Sequence, residues 1–170
     1  MIYHIYDMKR IHFEQIPSTH LFAKEQMERL RDYDLTVITA DFQTAGIGRR
    51  RTPWIAPSGS SLLATLVYKA PSQEHIPFIS INASKALMQC LNLPITIKYP
   101  NDLMVNGKKL AGIISETSDG MALTSIGLNI NQTEEEMKHI DQPATSLFIE
   151  TGQNFCNEDI LAKFCTLFFP

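Results

Sequence analysis

The sequence predicts an α+β domain in which helices pack on one face of a mixed, largely antiparallel sheet. Two turn dipeptides carry most of that reading. Asn106-Gly107 sits between the runs LMV and KKLAGIIS, and Asp119-Gly120 precedes MALTSIGLNIN. Such pairs favour positive φ at both central residues of a type I′ hairpin turn, so three adjacent antiparallel strands follow. Helical apolar spacing appears in separate stretches, and no internal repeat, low-complexity tract or linker divides the chain, so residues 1–170 are expected to form one domain.

Taken in order, residues 2–6 and 11–16 read as short strands stopped by Pro17. A helix is expected over 18–31, where Ser18 and Thr19 are good N-caps and Leu21, Phe22, Gln26, Met27, Arg29 and Leu30 fall at helical spacing. Residues 35–41 form a β-branched-rich strand, and SSLLATLVY at 60–68 reads as a buried one. Ala83, Ala86, Leu87, Cys90 and Leu91 mark a helix over 82–91 that Pro94 ends, followed by a strand at 95–99. Beyond the two hairpins, residues 134–137 are a short acidic helical segment and 141–145 a polar loop with no evident chemistry. The last helix is expected after an Asn157 cap, with Ile160, Leu161, Phe164, Leu167 and Phe168 on one stripe.

Composition narrows the function. A chain of 170 residues buries roughly two thirds of its unfolded surface, enough for a core without disulfides or metals. The net charge of −3 argues against a general DNA binder, which needs a broad basic face. Cys90, Cys156 and Cys165 are odd in number and lie in apolar stretches, which reads as reduced core thiols in a cytoplasmic protein. No apolar run reaches membrane-spanning length, and the N-terminus does not read as a signal peptide.

The chemistry concentrates in two stretches. Residues 43–54, QTAGIGRRRTPW, place two glycines, three consecutive arginines and the only tryptophan between two strands. Glycines allow close backbone approach to an anion, and arginine forks grip phosphate or carboxylate oxygens in pairs. Residues 98–116, KYPNDLMVNGKKLAGIISE, follow with a lysine on a strand just past a tight turn. Together these stretches closely resemble the biotin protein ligases, whose catalytic domains carry a GRGRxGRxW-like loop and then a KWPNDL…KLAGIL segment. The resemblance extends from Ser18 to about Leu147. Ile47 stands at the loop's first arginine position, and Arg51, Thr52 and Pro53 stand where the family usually has Gly-Arg-x.

The resemblance implies the biotin/lipoate ligase catalytic-domain fold, in a short form without an N-terminal DNA-binding domain or a C-terminal SH3-like domain. It implies an enzyme that uses ATP and Mg²⁺ to activate biotin as biotinyl-5′-AMP and passes biotin to a lysine of the biotin carboxyl carrier protein of acetyl-CoA carboxylase. No DNA or membrane partner is expected, and a homodimer is compatible. Lipoate or octanoate ligases carry a different arginine-glycine signature. From another class, a biotin- or adenylate-binding module with poor transfer would share the same site. The matching positions make Lys109, Arg49 and Asp102 catalytic, with Asp102 also toward Mg²⁺. Ligand contacts are implied for Ser18, Thr19, His20, Gln43, Gly46, Ile47, Gly48, Arg50, Trp54, Asn101, Gly112 and Asn129. His20 occupies a position where the family commonly has asparagine, and Ser125 one where it has glycine.

Overall fold

The computed structural model describes residues 7–70 and 76–169, with Arg51, Ile76 and Pro77 described by backbone alone. The strand expected at 2–6 and the final Pro170 lie outside the described residues. Seven strands form one sheet in the order β1-β2-β3-β7-β6-β5-β4, namely β1 (Met8–Ile16), β2 (Leu35–Gln43), β3 (Ser61–Lys69), β4 (Thr96–Lys98), β5 (Asp102–Val105), β6 (Lys108–Ser118) and β7 (Met121–Asn129). Only β1 and β2 run parallel; the other neighbours are antiparallel.

Both expected hairpin turns form. Asn106 and Asp119 have φ of 49°, and Gly107 and Gly120 follow at 76° and 78°, as type I′ geometry requires. They fix the registers Val105↔Lys108 and Ser118↔Met121 and so settle which residues of β6 share a face.

Helices cover both faces of the sheet rather than one. The larger core lies beneath α3 (Ile76–Leu91) and α6 (Asn157–Phe168), where Leu87 and Phe164 meet Val37, Leu66 and Tyr68. On the other face α1 (Thr19–Glu25) and α2 (Met27–Leu30) pack Ala23 and Leu30 against Ile38, Val67 and Leu123. Because successive strand residues point to opposite faces, Val37 and Ile38, or Leu66 and Val67, enter different cores. The unbroken apolar runs of β2 and β3 are those of strands buried on both sides.

The helix expected over 18–31 is divided at Gln26, whose ψ of 6° leaves the helical region. Ser18 is the N-cap, its Oγ accepting from the Leu21 N–H at 3.4 Å, while Thr19 is the first helical residue. The acidic segment forms α4 (Glu134–Met137), with Thr133 and Glu136 making a reciprocal capping box. An additional helix, α5 (Leu147–Thr151), begins after Ser146. Asn157 does not cap α6: the cap position is Cys156, and the Asn157 amide donates instead to the Ser61 carbonyl at 3.0 Å. That bond ties the last helix to the start of β3. Of the three free cysteines, Cys90 is in the core, Cys165 packs against it with its thiol pushed up to about 11 by burial, and Cys156 is exposed.

Phe164 is fully buried and stacks on Phe168 with 5.2 Å between ring centroids. Phe164→Ala is expected to cost about 3–5 kcal/mol of unfolding free energy. Urea titration measures it, and a loss below about 1 kcal/mol would mean that α6 contributes little to the core.

Candidate functional site

Two adjoining cavities open on the α1 face beside the arginine loop. The inner one is a slot of about 40 Å³ lined by Ser18, Thr19, His20, Gln43, Ile47, Gly48, Ala64, Gly112, Ile114, Ser125, Ile126 and Gly127. The outer one is a cleft of about 530 Å³ bordered by Arg50, Thr52, Pro53, Ile55, Lys98, Tyr99, Asp102, Asn129 and the 140–144 segment. Arg49, Trp54, Asn101 and Lys109 line both and so mark the boundary between them.

The slot exists because the sheet is bare there. Gly112 of β6 and Gly127 of β7 are direct cross-strand partners, and the Trp54 indole covers the pair. A Cβ on Gly127 would lie 2.6 Å from Trp54 Cε2, and one on Gly112 would lie 3.3 Å from Cζ3. At 127 only glycine leaves room for the ring, and at 112 a Cβ would press tightly against it.

The loop carrying Trp54 closes on itself. Gly48 N–H donates to the Thr52 carbonyl at 2.6 Å, Trp54 N–H donates to Gly46 O at 2.8 Å, and Ile47 bridges Pro53. Both loop glycines are sterically required, since a Cβ on Gly46 would sit 2.6 Å from Trp54 O and one on Gly48 2.8 Å from Thr52 Oγ1. Arg50, in the 3₁₀ turn Arg49–Arg51, has φ of 56°, a left-handed conformation costing an arginine about 1–2 kcal/mol. Trp54 Nε1 is buried with no hydrogen-bond partner among the described residues. A buried orphan donor of this kind costs about 1–3 kcal/mol, and a polar ligand in the slot can relieve it.

At the boundary Lys109 is ion-paired and Arg49 is hydrogen-bonded to a neutral amide. Lys109 Nζ lies 2.9 Å from Asp102 Oδ1 and 5.7 Å from the Trp54 ring centroid, with its side chain 17% exposed. Arg49 donates to Asn101 Oδ1 at 3.3 Å, and Asn101 Nδ2 donates to Asp102 Oδ1 at 3.2 Å. Lys108, its neighbour, is exposed, as strand alternation requires.

The slot's polar wall is held by α1 and β2. Gln43 Oε1 accepts from Thr19 N–H at 2.7 Å and Thr19 Oγ1 at 3.1 Å, leaving its amide nitrogen free of both contacts. Behind it, Thr65, Ser125 and His20 continue a row of hydrogen-bonded groups. Burial pushes the His20 pKa below its ordinary value, against the opposing pull of Glu116, whose carboxyl is itself held down by its hydrogen bond from Lys24.

All the residues singled out in sequence line the two cavities except Gly46, which acts as a loop pivot. The structure adds to the sequence reading at three places. Asn129 lines the cleft but is 2% exposed and spends its amide on Thr145 O at 3.0 Å and Lys109 O at 3.5 Å, so it braces the floor. The 141–145 loop is part of the site: Lys109 N–H donates to Pro143 O at 2.8 Å, Thr145 N–H donates to Lys109 O at 2.9 Å, and Asp141, Gln142 and Ala144 line the cleft. Trp54 lies on the two glycines. Among the described residues no three His, Cys, Asp or Glu side chains form a metal cluster, and no helix is long and apolar enough to cross a membrane.

The sequence and the fold have counterparts among known proteins. The biotin–[acetyl-CoA-carboxylase] ligase of Mycobacterium tuberculosis is 32% identical over 126 residues, which is 68% of this chain and 46% of that protein. The chain thus spans less than half the length of this relative. A structure of biotin protein ligase from Aquifex aeolicus in complex with biotin and ATP superposes with a TM-score of 0.68 at 26% identity, over 94% of this chain and 68% of that one. The Leishmania major biotin protein ligase in complex with biotinyl-5-AMP shares the fold, with a TM-score of 0.76 at 19% identity over 95% of this chain and 73% of that one. With the family model matching residues 12–132, a span that holds the arginine loop, the KYPNDL…KLAGI stretch and every strand from β2 to β7, the chain belongs to the biotin/lipoate A/B protein ligase family.

Proposed function

We propose that this domain activates biotin with ATP to form biotinyl-5′-AMP and transfers the biotinyl group to a lysine of the biotin carboxyl carrier protein of acetyl-CoA carboxylase. The observation that carries this reading is the meeting of slot and cleft at Lys109 and Arg49. A carboxylate reaching out of the slot and a triphosphate lying in the cleft would come together at these two cations. Gln43, Ser18 and Thr19 offer the polar groups that a ureido ring needs, and Ile47, Ile114 and Trp54 offer apolar walls.

In the first step a carboxylate oxygen of biotin attacks the α-phosphorus of ATP and pyrophosphate leaves. Like charges oppose that approach, and Lys109 and Arg49 offset the repulsion, each charge-assisted hydrogen bond contributing about 1.5–3 kcal/mol. The Asp102 carboxylate keeps the Lys109 ammonium aimed at the boundary before ligand arrives. In the second step the carrier's neutral lysine amine attacks the acyl carbon, an amide forms, AMP leaves with the acyl–phosphate electron pair, and the proton lost from the amine nitrogen passes to solvent. Mg²⁺ bound with ATP would neutralise phosphate charge; Asp102 and Asp141 are the carboxylates lining the cleft that would hold it, few enough that the phosphates would complete its coordination.

Incubation with biotin, MgATP and a carrier domain should raise the carrier's mass by one biotinyl group. Adenylate formation with the carrier unchanged would identify an adenylate-binding module instead. Lys109→Ala should depress biotin-dependent pyrophosphate exchange by two orders of magnitude or more while biotin affinity falls far less, because the charge is needed most in the transition state. Exchange at the wild-type rate would remove Lys109 from the mechanism. Gln43→Ala should weaken biotin binding by roughly tenfold or more in calorimetry, since buried polar groups lose their partner. An unchanged dissociation constant would place Gln43 outside the pocket.

The slot as it stands holds a few waters and no vitamin-sized molecule, so ligand entry requires the Trp54 loop to lift. Trypsin should cut at Arg49 and Arg50 fastest without ligand, more slowly with biotin, and slowest with biotin and MgATP, as phosphate neutralises the adjacent arginines and the loop closes over it. Equal rates in all three conditions would show that the loop does not act as a lid.

A further inference from the structure

Behind the slot runs a continuous row of side-chain contacts that begins and ends on an acceptor. From Gln43 Oε1 it passes to Thr19 Oγ1 at 3.1 Å, Thr65 Oγ1 at 3.0 Å, Ser125 Oγ at 2.8 Å and His20 Nδ1 at 2.8 Å. His20 Nε2 then faces Glu116 Oε1 at 3.4 Å, and Lys24 Nζ holds the other oxygen of that carboxylate at 2.8 Å. Gln43 presents its oxygen to the row because the backbone N–H of Thr19 donates to the same atom at 2.7 Å. The Glu116 carboxylate can only accept.

Proton counting constrains this row. Five contacts need five protons, and the three hydroxyls supply three. A doubly protonated imidazole would supply the other two, but Thr19, Thr65 and His20 are at most 4% exposed, and burial favours the neutral ring, which supplies one. One contact must therefore lack a proton. The four contacts from Gln43 to Nδ1 span 2.8–3.1 Å, whereas Nε2 to Glu116, at 3.4 Å, is the longest contact of the row and the one where a missing proton costs least in distance. With the proton on Nε2, Ser125 would have to donate to His20, and a short contact further along the row would bring two lone pairs together.

We propose that His20 is a positioning residue of the slot: it carries its proton on Nδ1, so that Ser125, Thr65 and Thr19 all donate toward Gln43 and the slot shows one fixed acceptor beside one fixed donor. The acceptor is the remaining lone pair of Thr19 Oγ1, and the donor is the Gln43 amide nitrogen. That pair complements a ligand in which an N–H adjoins a carbonyl, as in a cyclic urea. A dithiolane ring offers no N–H to the Thr19 lone pair. The inference rests on the reading of the slot as a biotin site for its ligand, though not for its tautomer.

The tautomer is read by long-range proton–nitrogen correlation NMR on the whole protein carrying ¹⁵N-histidine, with the His20→Asn spectrum assigning the signal. A protonated, pyrrole-type Nδ1 and a pyridine-type Nε2 are expected near neutral pH; the reverse assignment overturns the proposal. No ligand enters this measurement, so failure of biotin to bind would sink the proposed function and leave the tautomer standing. With biotin and ATP, His20→Asn, which places amide N–H groups near the Nδ1 position, should keep the KM for biotin within about threefold. His20→Asp, which places only acceptors there, should raise that KM about tenfold or more with kcat little changed, the size of effect that losing one hydrogen bond gives. Equal KM values for the two variants, or a loss confined to kcat, would overturn the role assigned to His20.

Discussion

A bare patch of sheet, made by two glycines facing each other across neighbouring strands, is the constraint on which this site depends. Gly112 and Gly127 remove the side chains that would otherwise stand above β6 and β7, and Trp54 lies over the vacancy. A cross-strand pair with Cβ atoms would lift the indole, take the arginine loop with it and merge slot and cleft. The tight crossing of the loop follows from the same demand: Gly46 and Gly48 let the chain turn back at van der Waals limits so that residue 54 reaches the patch. Arg50 bears the conformational cost of that turn.

Around the patch, each wall draws its rigidity from a different part of the fold. The lysine wall is stiffened by backbone bonds between Lys109 and the 143–145 segment, with Asn129 clamped beneath. The glutamine wall depends on the start of α1, where Ser18 caps the helix and Thr19 is free to hold Gln43. Among the described lining residues, opposite charges meet at the boundary, in Lys109 and Asp102, while the inner slot away from that boundary is lined by polar uncharged and apolar groups. A carboxylate-bearing ligand would thus be oriented before any phosphate arrives.

The hairpins were legible in sequence because Asn-Gly and Asp-Gly pairs encode positive φ locally, and they place Lys109 on a strand just past a tight turn. Coverage of both sheet faces was less legible: uninterrupted runs such as LTVIT and SLLATLV mark buried strands, but the second layer depends on how much apolar surface Ala23 and Leu30 add. Thr65 gave no local signal, since a hydroxyl in a strand is an ordinary β-former, and Ser125 stood out only as a departure from the family's glycine. Their meaning comes from partners 46 and 105 residues away in sequence, Thr19 and His20. The 141–145 loop escaped for another reason, because it is anchored to Lys109 through main-chain atoms, which any sequence supplies, and only that anchoring brings Asp141 to the cleft.

The two hairpins also divide the site by the distance along the chain over which its parts must find one another. Asp102, Lys109, Gly112 and Gly127 lie in one meander of β5, β6 and β7 joined by two-residue turns, so their contacts close over short loops. Gln43 and Thr19 belong to the parallel β1–β2 unit, which closes only through a crossover containing α1 and α2, and they meet β7 through pairings across β3. Loop closure over short separations comes at lower entropic cost and faster. The lysine wall is accordingly the half of the pocket that a folding chain can build by itself, and the slot takes shape only when the N-terminal third docks against it.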